Sequence, residues 1–125
     1  MDIEKSNVII TGGASGLGAA AAKAIVAAGG NVTIADLSEQ RGEELAQNLG
    51  DKAAFSKCDV TDEKDAERTV KLTLETFGKI NGLINCAGIA IGEKTISKNG
   101  PHILDSFAKV INVNLVGTFN MIRLT

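Results

Sequence analysis

The sequence predicts an α/β fold in which a doubly wound parallel sheet of four strands is covered by helices on both faces. Short apolar runs alternate with segments of helical periodicity, and a glycine or a capping residue separates each from the next. The order is β-α-β-α-β-α-β-α. Apolar strands joined by helical crossovers are typical of buried parallel sheets. Right-handed crossovers then favour the strand order 3-2-1-4.

The first half of the chain contains two strand–helix units. Their predicted elements are a strand at 8–10, a helix at 16–28, a strand at 32–35 that ends before Asp36, and a helix that Ser38 caps and that runs to Leu49. Glycines follow both helices, as expected at helix C-termini. The second helix places Gly42, Leu45, Ala46 and Leu49 on one face.

The second half repeats this pattern less regularly. Its predicted elements are a strand at 53–57, a helix from a Thr61 cap to Phe77, a strand at 80–86, a loop at 87–102 and one long helix at 103–125. The third helix carries an apolar stripe at Ala66, Val70, Leu74 and Phe77. The free edge of the fourth strand and the inner face of the last helix are candidates for exposure.

Composition excludes several classes of function. The net charge is −2, and the basic residues are scattered, so neither a nucleic acid nor a membrane is an expected partner. The N-terminus has no apolar signal region, and we expect the cytoplasm. Cys58 and Cys86 are interpreted as small buried residues in a reducing compartment. His102 is interpreted as a surface loop residue, and no metal site is predicted.

A glycine-rich segment follows the first strand directly. It is Thr11-Gly-Gly-Ala-Ser-Gly-Leu-Gly18, with the spacing Gly12-x-x-x-Gly16-x-Gly18. A strand, a glycine turn and a helix N-terminus together place bare backbone N–H groups against a phosphate. The P-loop requires Lys-Ser/Thr after its last glycine, and Ala19-Ala20 stand there instead. A phosphorylated cofactor is therefore predicted, although such a turn alone could be a tight connection.

Asp36 raises the specificity of this prediction. It lies eighteen residues after Gly18, at the end of the second strand, where a carboxylate can bind the hydroxyls of an adenosine ribose. A lone aspartate there could be a helix cap or a turn residue, but together with the glycine loop the ribose-binding role is favoured. The cofactor NADP would bring a 2′-phosphate close to this carboxylate, at a cost on the order of 1 kcal/mol. NAD is therefore preferred over NADP.

Two further strand ends are candidate parts of the site, because ligands bind at the carboxyl ends of parallel strands. After the third strand, Asp59 and Val60 could hold an adenine edge, or they could belong to the start of the next helix. The fourth strand closes with Asn85, Cys86, Ala87 and Gly88, whose small side chains would let a cofactor pass close to the backbone.

Asn114 interrupts a predicted stripe of the last helix that also contains Phe107, Val110, Ile111, Thr118, Met121 and Ile122. A buried amide without partners costs roughly 1–3 kcal/mol. Asn114 could be a core asparagine bonded to backbone or water. It could equally position a water molecule or a catalytic side chain. The pattern alone leaves both open.

Together these motifs resemble the short-chain dehydrogenase/reductase family in order and spacing, over the whole chain. The resemblance implies a partial Rossmann-type sheet that binds NAD. The implied roles are pyrophosphate binding by Gly12, Ser15, Gly16, Leu17 and Gly18, ribose binding by Asp36, adenine contacts by Asp59 and Val60, a cofactor path along Asn85, Cys86, Ala87 and Gly88, and an active-site role for Asn114.

A finer resemblance, to NAD-dependent type 2 3-hydroxyacyl-CoA dehydrogenases, depends on the residues after Asn85, on Lys94-Thr95 and on the segment 117–124. It implies a homo-oligomeric enzyme that acts on a secondary alcohol or an acyl-CoA. The family's catalytic serine and its Tyr-x-x-x-Lys pair have no counterpart, and the chain contains no tyrosine. We therefore expect 1–125 to be the NAD-binding portion without the catalytic portion, and to lack turnover alone.

Two alternatives stay open. The chain could be a stand-alone or engineered non-catalytic nucleotide-binding module that self-associates through its unpaired strand edge. It could also bind S-adenosylmethionine, whose ribose an acidic residue at the second strand would suit. The residues Asn85 to Gly88 and Asn114 favour the dehydrogenase.

Overall fold

The computed structural model describes residues 2–125 and contains a four-stranded parallel sheet in the order β3-β2-β1-β4. The strands are β1 (Asn7–Thr11), β2 (Asn31–Asp36), β3 (Ala53–Lys57) and β4 (Gly82–Asn85). In the centre, Ile10 pairs with Ile34 on one side and with Ile84 on the other. The predicted fold class and strand order are confirmed.

The main helices are α1 (Gly16–Ala27), α2 (Glu39–Leu49), α3 (Glu63–Phe77), α4 (Leu104–Ile111) and α5 (Thr118–Ile122). Alternate residues of β1 point to opposite faces of the sheet. Ile10 packs in a core that includes Ala22 of α1 and Leu45 of α2. Ile9 packs in a second core with Ala66 of α3 and Met121 of α5. The sheet is therefore covered on both faces.

The buried face of α3 differs from the predicted apolar stripe. Leu74 is exposed, whereas Thr69 and Thr73 are fully buried. The Thr73 hydroxyl donates to Oγ1 of Thr33 at 2.9 Å, and Oγ1 of Thr69 lies 2.8 Å from Oγ of Ser56. These side-chain hydrogen bonds between α3 and the sheet remove the cost of burying hydroxyl groups.

Two predicted helix caps need correction. Asp62, not Thr61, caps α3, because its carboxylate accepts the N–H of Asp65 at 3.0 Å. The Thr61 hydroxyl instead donates to Asp59. Ser38 occupies the N-cap position of α2, but its hydroxyl accepts from Arg41 and makes no capping hydrogen bond.

The last helix is continuous from α4 to α5 and contains a π-helical segment, Asn112–Gly117, in its middle. Most of the apolar stripe on this helix is exposed, since Met121 is buried while Phe107, Ile111 and Ile122 are exposed. The predicted exposure is confirmed: β4 is only half-buried. The exposed apolar residues of this region are Ile103, Leu104, Phe107, Ile111, Leu115, Val116, Phe119 and Ile122.

The predicted loop 87–102 contains a short antiparallel hairpin, β5 (Ile96–Ser97) with β6 (Gly100–Pro101). His102 is half-buried rather than fully exposed. Its ring packs edge-on against Phe107, and its Nε2 lies 3.2 Å from Oε2 of Glu93.

A buried asparagine holds the strands together at their amino-terminal ends. Asn7 is 3% exposed, and its Nδ2 donates to the carbonyls of Phe77 and Lys79, both at 3.0 Å. Its Oδ1 accepts from Nδ2 of Asn31 at 2.8 Å. Strands β1 and β2 and the α3–β4 connection are thereby joined at one point.

Within residues 2–125, no helix is both long enough and apolar enough to cross a membrane.

Candidate cofactor site

A cleft of about 670 Å³ lies at the carboxyl ends of the strands. It is formed where β1 has β2 on one side and β4 on the other, which is where parallel α/β sheets bind ligands. Every predicted cofactor-binding residue except Asn85 lines it. The sequence did not indicate five other lining residues: Leu37, Cys58, Ile89, Lys109 and Val113.

The glycine loop leaves room for a ligand at one glycine and packs tightly at two others. At Gly16, whose φ is +52°, a Cβ atom would meet nothing within 4 Å. At Gly12, with φ +63°, it would lie 2.7 Å from the backbone nitrogen of Ala87. At Gly18 it would overlap the carbonyl oxygen of Gly12. The first position is open to the cleft, and the other two hold α1 and the β4 end close together.

Ser15 precedes α1 at its N-cap position. Its side chain is exposed and makes no capping hydrogen bond, although its carbonyl accepts the N–H of Ala19 at 3.0 Å. The hydroxyl of Ser15 and the first N–H groups of α1 therefore lie together at the cleft. A helix N-terminus with such groups favours an anion.

The carboxylate of Asp36 is held by two backbone groups. Oδ2 accepts the N–H of Ala14 at 3.0 Å, and Oδ1 accepts the N–H of Ser38 at 2.9 Å. An ionised carboxylate has about four lone-pair sites, so two remain for a ligand. The predicted ribose-binding residue is thus oriented before any ligand arrives.

Asp59 and Val60 follow β3 in a turn with several internal hydrogen bonds. Oδ1 of Asp59 accepts from the N–H and the hydroxyl of Thr61, at 2.9 and 2.7 Å. The Asp59 N–H donates to Oδ2 of Asp65 at 2.9 Å. That hydrogen bond, followed by the contact with Arg68, lowers the pKa of Asp65. The turn holds its shape through charged acceptors near the start of α3.

Cys58 lies at the floor of this part of the cleft and is 2% exposed. Burial raises the pKa of its thiol, an effect larger than that of its hydrogen bond with Thr69. The thiol therefore stays protonated near neutral pH and is a poor nucleophile. Its position confirms the interpretation of Cys58 as a small buried residue, whereas Cys86 is only half-buried.

Asn85 braces the strand end instead of lining the cleft. Its Oδ1 accepts from Oγ1 of Thr11 at 3.4 Å, and the same hydroxyl accepts the N–H of Ala87 at 3.2 Å. The Thr11 carbonyl also accepts the N–H of Cys86 at 3.0 Å. The end of β4 is therefore tied to the end of β1 on the sheet side.

Asn114 lies in the π-helical segment and is exposed rather than buried. Its Oδ1 accepts the N–H of Ile89 at 2.8 Å, and its Nδ2 donates to the Ile89 carbonyl at 2.9 Å. A Cβ atom on Gly88 would lie 3.3 Å from this amide oxygen. The side chain thus bonds to backbone without being a core residue, and it holds the loop that leaves β4, while a positioning role stays a prediction.

Within residues 2–125, no three His, Cys, Asp or Glu side chains are grouped to hold a metal ion. Lys109 is the one basic residue among those described as lining the cleft, which also contains the carboxylates of Asp36 and Asp59.

The sequence model of the family described as short chain dehydrogenase matches residues 6–125. The chain belongs to this family. It is also 48% identical over 118 residues to a 3-hydroxyacyl-CoA dehydrogenase type-2 from Bos taurus, covering 93% of this chain and 45% of that protein.

Two solved structures of the family superpose on the chain. A 3-hydroxyacyl-CoA dehydrogenase type-2 from Mycobacterium avium is 31% identical with a TM-score of 0.90, over 98% of this chain and 48% of that one. A 3-ketoacyl-(acyl-carrier-protein) reductase from Brucella melitensis, complexed with NADH, is 30% identical with a TM-score of 0.89, over 97% and 49%. The chain spans about half the length of these relatives.

Proposed function

We propose that this short-chain dehydrogenase chain binds NAD in the cleft at the carboxyl ends of its strands. The observation that carries the proposal is the pairing of an open Gly16 with the oriented carboxylate of Asp36. The first leaves space for a phosphate beside backbone N–H groups, and the second supplies acceptors for two ribose hydroxyls. The cleft volume of about 670 Å³ also suits a ligand of this size.

Each region of the cleft has its own role in this proposal. Gly12, Ser15, Gly16, Leu17 and Gly18 hold the pyrophosphate. Asp36 binds the adenosine ribose, and Asp59 with Val60 flanks the adenine. Cys86, Ala87 and Gly88 line the remaining cofactor path, while Asn85 supports them from the sheet side.

We further propose that NAD serves as hydride acceptor or donor for a secondary alcohol, with 3-hydroxyacyl-CoA as the substrate class. Support comes from the names of the relatives described above. In this chain Asn114 would position the loop beside the reacting end of the cofactor. No tyrosine is present to move the hydroxyl proton, so we expect residues 1–125 alone to bind NAD without turnover.

Calorimetric titration tests the binding proposal. The 125-residue chain is titrated with NAD, NADP and S-adenosylmethionine, and NAD should bind most tightly. Asp36→Ala should weaken NAD, whereas Asp51→Ala, an exposed carboxylate outside the cleft, should leave it unchanged. Tighter binding of S-adenosylmethionine would support a different ligand, and no binding of any nucleotide would overturn the proposal.

We also propose that the chain self-associates through the exposed apolar face of its last helix. Leu115 and Phe119, one helical turn apart, are 63% and 62% exposed, and an apolar face of this kind marks an interaction surface. Replacing both with Glu should lower the mass measured by sedimentation. Leu74→Glu, a similar change on α3, should not. A native chain that sediments as a monomer would contradict this proposal.

We propose that the protein lies in the cytoplasm. We also propose that its partner is a small molecule and not a nucleic acid. The unpaired Cys58 and Cys86 and the net charge of −2 support this. Fractionation of cells that produce the protein would test it.

A further inference from the structure

Asn120, which is not among the residues that line the cleft, holds the turn that contains Val60. This asparagine lies in α5, is 5% exposed, and has no part in the site described above. Its Nδ2 donates to the carbonyl of Val60 at 2.9 Å and to the carbonyl of Asp62 at 3.3 Å. Two backbone acceptors of the turn thus depend on one side chain.

The orientation of this amide is set by a second contact. Oδ1 of Asn120 accepts from Nε of Arg123 at 3.0 Å, and Nη2 of Arg123 lies 3.0 Å from Oε1 of Glu63. Because Arg123 has only donors, the amide oxygen must face it, and the amide nitrogen must face the turn. Glu63 begins α3, so both ends of the turn are linked to α5.

Gly117, three residues earlier on the same helix, contacts the side chain of Val60. A Cβ atom at this glycine would lie 2.5 Å from Cγ2 of Val60, closer than any real contact. The missing side chain lets the helix surface pack directly on Val60. The side chain and the carbonyl of Val60 are therefore both placed by the last helix.

We propose that Asn120 is a positioning residue for the adenine end of the dinucleotide, acting through Val60. Val60 lines the cleft, and Asn120, which is not among the lining residues, donates a hydrogen bond to the Val60 carbonyl. If the amide were lost, the two carbonyls would have to find other partners, and the turn would shift. This inference rests on the proposed function, because it assumes that the ligand places its adenine beside Val60.

The test compares two buried asparagines with the same hydrogen-bonding pattern. Asn120→Leu removes the donors to Val60 and Asp62, and Asn7→Leu removes the donors to Phe77 and Lys79 at the opposite edge of the sheet. Both variants should melt at lower temperature. Titrations with AMP, ADP-ribose and NAD are run below both melting transitions, so that only the folded state is measured.

We expect Asn120→Leu to weaken all three ligands by the same factor, roughly fivefold to twentyfold, and Asn7→Leu to change none of them by more than about twofold. Equal affinities in native chain and Asn120→Leu would show that Asn120 is only structural and would overturn the inference. Failure of the native chain to bind any of the ligands would overturn the proposed function instead.

Two milder variants keep the inference testable if Asn120→Leu does not fold. Asn120→Ser shortens the side chain, and Gly117→Ala presses on Val60 without touching the amide. Both should weaken AMP and NAD by equal factors. Unchanged affinity in both variants would count against a positioning role.

Discussion

The backbone N–H of Ala14 and the carboxylate of Asp36 are joined by a hydrogen bond of 3.0 Å. The glycine loop after β1 and the end of β2 are therefore directly connected, although they are 22 residues apart in sequence. The phosphate-binding and ribose-binding parts of the proposed NAD site keep a fixed distance, which lowers the ordering cost of binding.

Asp36→Ala should change which cofactor the chain prefers. Loss of hydrogen bonds to a charged group should weaken NAD by about tenfold or more. NADP should lose little, because its 2′-phosphate no longer meets a carboxylate, and adding Leu37→Arg should favour it further. Competitive titration of the two cofactors measures the ratio. A native chain that binds NADP as tightly as NAD would contradict this interpretation.

Gly18→Ala should destabilise the fold, because the new methyl group would overlap the Gly12 carbonyl oxygen. Overpacking of this kind costs roughly 1–3 kcal/mol of unfolding free energy. Gly92→Ala is the control, since its Cβ atom would meet nothing within 4 Å. Urea unfolding of the native chain and the two variants gives the difference in unfolding free energy. Equal urea midpoints for all three would contradict the close contact between Gly18 and Gly12.

The carboxylate of Asp65 should make the stability of the fold depend on pH. Its pKa in the folded chain lies below the ordinary 3.8, chiefly because its carboxylate accepts the Asp59 N–H. A depressed folded-state pKa adds stability above the unfolded-state pKa, and this is lost as the pH falls through the folded value. Asp65→Asn should therefore melt lower than the native chain at pH 7, and the difference in melting temperature should narrow as the pH falls below 3.8.

Thermal melts between pH 7 and about pH 3 measure this difference. Asp51→Asn, at an exposed carboxylate before β3, provides the matched control. If the difference in melting temperature between Asp65→Asn and the native chain stayed constant with pH, the effect would be one of packing and not of ionisation.

Asn114→Ala should loosen the loop that follows β4. The substitution removes the hydrogen bonds to the N–H and carbonyl of Ile89, at 2.8 and 2.9 Å. The amide of Ile89 should then exchange with solvent at least several times faster. Asn112→Ala changes an exposed asparagine on the same segment and should have no such effect. Hydrogen exchange followed by NMR resolves the two cases.

The strands could be predicted because parallel strands covered on both faces are continuous apolar runs. The predicted bounds of β3 match the structure, and the cleft lies where strand ends and small residues coincide, while the roles of its residues stay predictions. Hydrophobic periodicity was right for Ala66 and Val70 of α3 but missed the buried Thr69 and Thr73. Their hydroxyls find partners on neighbouring strands, which a linear pattern does not show.

The exposure of the last helix was expected from the free edge of the fourth strand and not from the helix's own residue pattern. Its exposed apolar residues cannot be distinguished from buried ones by pattern, because periodicity reports a stripe without reporting what covers it. Lys109 and Val113 of this helix line the cleft together with Ile89 of the loop after β4, and no motif in the sequence marks them. A second amide six residues after Asn114 was the one available signal for Asn120.

Asn7 and Thr11 stand at opposite ends of β1, about 13 Å apart along an extended strand. The amide of Asn7 stabilises the amino-terminal end of the strand, whereas the proposed cofactor site lies at the other end, near Thr11. A combinatorial library restricted to residues 36 and 37, outside the buried core, could therefore be screened for new nucleotides. Because the two ends are separate, stabilising substitutions around Asn7 could be made first, so that the fold tolerates destabilising substitutions in the cleft.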